Sequence, residues 1–217
     1  MSTSAKNFYL PVALLTGLII FSCSGNGNKE PEKIKKDTAK PVIKKTVAPE
    51  PEIKYERPPI VNIVDTVALK RIVVFAKDSA RTFERISLKL GKLYGVKLAE
   101  VIKKNNLKMT GAPLAWYKTT RAPYFFEAGA QVNKRPSKLS PGVQVRELSA
   151  GKVVIAHFYG PYELLPQGYD AIKEWMKDNK KVSAGAPYEI YVTDPVDKNG
   201  KPLDPYKVRT DIVFPVK

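Results

Sequence analysis

Gly-Ala-Pro occurs twice in this chain, at 111–113 and 185–187, and each copy introduces an apolar-aromatic segment, Leu114-Ala115-Trp116-Tyr117 and then Tyr188-Glu189-Ile190-Tyr191. Apolar residues at helical spacing precede both copies. They are Phe83, Ile86, Leu90 and Leu93 before the first, and Leu165, Tyr169, Ile172 and Met176 before the second. Gly91 and Gly95 weaken the first helical pattern, so a break is expected near Gly95 before Val96–Lys104 resumes it. Pro166 requires that the second helix start close to it. The β-branched run Val61–Phe75 reads as a strand ahead of the first helix, and Tyr124–Val132 as one after it. Val143–Leu148 and Lys152–Tyr159, joined by a turn at Ser149-Ala150-Gly151, precede the second helix, and Val208–Phe214 ends the chain. The order strand, helix, strand, strand therefore occurs twice. It predicts an α+β fold of duplicated units with an antiparallel sheet, and a cleft between two such units is a natural place for a small ligand.

The second aromatic strand carries the candidate functional group. Alternation places Tyr188, Ile190 and Val192 on one face and Glu189, Tyr191 and Thr193 on the other. A carboxylate among aromatic rings is costly to desolvate unless a cation or a hydrogen-bond donor meets it. Glu189 is thus the leading candidate for a ligand contact, or for the catalytic group if the protein is an enzyme. Alternation also separates Trp116 from Tyr117, so only one of them faces a groove. The alternative is an edge-strand acid facing water.

His157, the single histidine, falls in an apolar strand beside Val153 and Ile155 and reads as a structural residue. One histidine with scattered carboxylates makes no metal-ligand cluster, and no metal or cofactor is expected. No nucleotide or nucleophile-elbow fingerprint is present.

The N-terminus speaks to location. Lys6 precedes an apolar run from Phe8 to Phe21, shorter than the ~20 residues of a spanning helix. Ser22 and then Cys23 close it, which resembles the cleavage and lipidation signal of a bacterial lipoprotein. Residues 1–23 are read as that signal, with Cys23 as the lipidated residue. Cys23 is also the only cysteine, so residues beyond it hold no thiol and no disulfide. Residues 24–58 are rich in Lys, Glu and Pro and read as a disordered tether. Residues 59–217 are expected to form the folded domain, a monomer held to a membrane by lipid and facing the periplasm or exterior of the cell envelope. Of the formal charge of +16, the leader carries +1, the tether +3 and the domain +12. The basic residues are spread along the chain rather than gathered in one stripe. Attraction to anionic lipid or envelope polymer suits this distribution better than nucleic acid, which is not expected as a partner, and a solvated basic surface suits it best.

Three segments carry a resemblance to a known family: G-A-P-L-A-W-Y at 111–117, H-F-Y-G-P-Y-E-L-L at 157–165, and G-A-P-Y-E-I-Y-V-T-D-P with D-I-V-F-P-V at 185–195 and 211–216. In order and spacing they resemble the GyrI-like effector-binding domain of multidrug-responsive transcription activators. The resemblance implies two strand–helix–strand–strand units side by side with a central ligand groove. It implies Glu189 in that groove, with Tyr191, Tyr117 and Trp175 as aromatic ligand contacts. A leader and tether stand where the activators carry a DNA-binding helix-turn-helix, so ligand binding rather than transcriptional control is expected. The ligand would be a small amphipathic or cationic molecule. Hydrolysis of small electrophiles by the same glutamate, or a basic envelope-interaction role with no small ligand, are the alternatives.

Overall fold

The computed structural model describes residues 57–217; the leader, Cys23 and all but the last two residues of the tether lie outside them. Eight strands form one antiparallel sheet: β1 (Ile60–Ala68), β2 (Arg71–Ala80), β3 (Leu114–Tyr117), β4 (Tyr124–Val132), β5 (Val143–Leu148), β6 (Gly151–Tyr159), β7 (Tyr188–Tyr191) and β8 (Arg209–Pro215). Their spatial order is β1-β6-β8-β7-β3-β4-β2-β5. The duplication is plain in this order. Outward from the centre, β3-β4-β2-β5 on one side matches β7-β8-β6-β1 on the other, and β3 pairs with β7 at the seam.

Two expectations change. Val61–Phe75 holds two strands, not one, because the chain breaks at Leu69-Lys70. The first of them, β1, pairs with β6 of the other half. The first helix also does not break at Gly95. It runs as α1 (Glu84–Lys92), a π-helical segment (Leu93–Leu98) and α2 (Ala99–Lys104). Leu93 and Leu98 are both buried although five residues apart, a spacing that an α-turn would put on different faces. The wider π turn absorbs the extra residue and lets Ile86 and Leu93 before it, and Leu98 and Val101 after it, all reach the core. The second helix, α3 (Leu165–Asp178), carries Pro166 in its first turn.

The chain links decide the shape of the sheet. Only Leu69-Lys70 join β1 to β2, and only Ser149-Ala150 join β5 to β6. Each link spans at most about 11 Å. In a flat sheet the strands joined in each case would lie about 29 Å apart, six strand spacings away. The sheet must therefore curl until its two outer strand pairs meet at that end. The helices pack on its outer face, over one core of Val74, Phe126 and Leu98 and a second of Phe158, Ile172 and Ile212. The inner face needs no covering layer. Val73, Phe75, Leu114, Trp116, Val153, Tyr188 and Val213 bury one another inside the curl.

Gly129 is packed inside the curl against Val73, Leu114 and Trp116. A Cβ there would sit 2.7 Å from Val73 Cγ1 and 2.8 Å from Leu114 Cδ1. Gly129→Ala should cost about 1–3 kcal/mol through overpacking. A lower urea midpoint with unchanged slope is the expected result, while Gly151→Ala, which meets nothing within 4 Å, should leave the midpoint in place.

Candidate functional site

Glu189 pairs with Ala115 across the β3–β7 seam, so its side chain leaves the sheet where the two halves meet, on the helical face. It is 5 % exposed and no lysine or arginine pairs with it among the described residues. Phenols meet it instead. Tyr169 on α3 donates to Oε1 at 3.0 Å, and Tyr191, two residues along β7, donates to Oε2 at 3.0 Å. A phenol has one proton to give. With that of Tyr191 committed to Glu189, the 2.9 Å contact between the hydroxyls of Tyr117 and Tyr191 is a bond donated by Tyr117. Tyr162 stands edge-on to Tyr191 with ring centroids 6.3 Å apart. Tyr94, in the π segment, donates to the Leu114 carbonyl at 2.7 Å and lies close enough to feel the Glu189 charge.

The electrostatics follow from this geometry. Burial raises the Glu189 pKa to about 7, against the pull of the two phenol hydrogen bonds, which favour the anion. The tyrosines are pushed upward as well, first by burial and then by the carboxylate, so they remain neutral donors. Half-buried aromatic rings from both halves thus surround one acid that lacks a cation.

The family model for the GyrI-like small molecule binding domain matches residues 83–217. The chain belongs to this family. Solved structures agree on the fold. The EcmrR C-terminal domain superposes with a TM-score of 0.59 at 22 % identity, covering 73 % of this chain and 98 % of that one. EcmrR in its DNA complex gives a TM-score of 0.60 at 22 % identity and covers 72 % of this chain, which spans 57 % of the EcmrR chain. SAV2435 bound to tetraphenylphosphonium overlaps at a TM-score of 0.47 and 15 % identity, too loose a match to bear on this chain. No curated protein matches.

The GyrI-like domain brings together three of the four residues singled out from sequence as ligand contacts: Glu189, Tyr191 and Tyr117. Trp175 is not brought in. It lies six residues beyond Tyr169 on α3, roughly 120° around the helix, and packs against the second core. Tyr169 is the residue that α3 aims at Glu189, although its spacing with Ile172 and Met176 marked it as core. Tyr94 and Tyr162 were also missed. Tyr94 is placed by a π turn that periodicity does not announce, and Tyr162 by a short 3-10 turn (Tyr162–Leu164) ahead of α3. His157 is held by Asp211 at 2.7 Å on the opposite face of the sheet, a structural pairing.

A carboxyl whose folded pKa lies above its unfolded value of 4.5 stabilises the fold fully below pH 4.5, and loses that contribution as pH rises through about 7. The difference corresponds to about 3 kcal/mol at most. Stability of the wild type should fall across this window, and Glu189→Gln should flatten that part of the profile, as read by denaturant midpoints from pH 4 to 8.

Proposed function

We propose that this protein is a lipid-anchored cell-envelope receptor for a small amphipathic cation, which lies among the tyrosines with its charge over Glu189. The observation that carries this is a buried carboxylate with phenol donors and no cationic partner, in a small-molecule binding domain. A lipophilic cation supplies the missing charge, and the tyrosine faces favour it through their quadrupoles. The ionised acid is then stabilised at pH values where the empty site holds a proton.

The affinity of benzyltriethylammonium should therefore weaken about tenfold per pH unit below the Glu189 pKa of about 7 and level off above it. Glu189→Gln should abolish that dependence and lower affinity at pH 8 at least ~10-fold, a loss of about 1.4 kcal/mol. Calorimetric titration measures both. Equal affinity for an uncharged analogue of the same shape, or no effect of the substitution, would refute a cation site.

The Glu189 pKa near 7 also suits a general base, which keeps hydrolysis of small electrophiles as a second reading. Turnover of an epoxide panel that is lost in Glu189→Gln would favour it, whereas tight binding without turnover would exclude it.

The anchor rests on Cys23 following the apolar run 8–21. In a bacterial host, labelled fatty acid should be incorporated into the wild type and not into Cys23→Ser, which should move to the soluble fraction. Equal labelling of the two would overturn it.

A further inference from the structure

The inner face of the curl holds a second feature that Glu189 does not use. Where the two short links meet, an open cavity of about 470 Å³ is lined by Trp116, Tyr188, Val153, Arg146 and Lys152 among others. That volume falls in the range of small-molecule sites, ~300–1,000 Å³. Its floor is aromatic, with Trp116 and Tyr188 ring centroids 5.7 Å apart.

Its charge is opposite to that of the tyrosine site. Arg146 lies flat over Phe75 and Trp116, its guanidinium carbon 4.4 Å from each ring centroid. One of its nitrogens donates to buried Glu127 at 2.7 Å. Glu127 also draws Lys118 at 3.6 Å and Lys77 at 3.8 Å, so three cations share one carboxylate. Guanidinium has five donors, and most of those on Arg146 remain for another acceptor. The acid on the rim, Glu147, is neutralised by Lys70 at 2.9 Å and Arg135 at 3.2 Å.

We propose that this cavity is a second ligand site, for a small amphipathic carboxylate whose apolar body lies on Trp116 and Tyr188 and whose anionic end meets Arg146. The two sites stand back to back. Trp116 and Tyr188 face the cavity, and their chain neighbours Tyr117 and Glu189 face the tyrosine site, so the same two strands, β3 and β7, serve both.

The test is calorimetric titration of 2-naphthoate, and of uncharged 2-naphthamide, into the full chain held in an uncharged detergent. One naphthoate per chain is expected, with naphthamide at least ~10-fold weaker, about 1.4 kcal/mol. Arg146→Gln, which leaves Glu127 with Lys118 and Lys77, is expected to weaken naphthoate by at least the same factor. Glu189→Gln is expected to leave naphthoate binding intact, which separates this site from the cation site. The proposal is overturned by an absence of naphthoate binding, by equal affinity for naphthamide, or by indifference to Arg146→Gln. Loss of naphthoate binding in Glu189→Gln would place the acid in the tyrosine site and overturn it equally.

Discussion

Two links of two residues each hold this fold in shape. Because Leu69-Lys70 and Ser149-Ala150 cannot cross a flat sheet, the eight strands curl, and the curl turns one sheet into two environments. Inside, aromatic and β-branched residues bury each other without any helix to cover them. Outside, the helices cover the flanks of the sheet, each over its own core, and the seam of β3 and β7 runs between the two halves. Strand alternation then sorts residues between these environments with no freedom left over. Trp116 and Tyr188 go in, and Tyr117 and Glu189 go out.

At the seam, desolvation sets the chemistry. A carboxylate this deep would ordinarily be matched with a lysine or arginine, and the domain has many of both. Among the described residues none reaches Glu189, although Glu127, a similarly buried acid on the other face, collects three. The contrast is instructive because both acids lie in one sheet, with only β3 between their strands. Glu127 is satisfied by structure. Glu189 is held by neutral phenols that stabilise its charge only in part, and its pKa remains near 7. An acid in that condition responds strongly to whatever approaches it.

The sequence made the architecture legible because its signals were local. Twin Gly-Ala-Pro turns, helical spacing and strand alternation are all short-range patterns, and they yielded the duplicated α+β units, the two faces of β7 and Glu189 as an acid set among aromatic rings. What was hidden depends on distant parts of the chain. The turn at Ser149-Ala150 reads like a hairpin, yet β5 and β6 do not pair with each other, and only the full strand order shows why. Tyr169 looked like an ordinary core position since its helical spacing is the same whether the ring meets apolar neighbours or a carboxylate. Trp175 was drawn in by family resemblance, but its angle on α3 sends it elsewhere.

The π segment at Leu93–Leu98 resets the bearing of the helix. Its wider turn takes up one residue more than an α-turn, so every position after it stands about 100° away from where an unbroken α-helix would put it. The residue that fills the wide turn next to Leu93 is Tyr94, whose hydroxyl now reaches the β3 backbone beside the seam. The helix on this side therefore carries two angular frames, and the tyrosine cluster around Glu189 is met where they join.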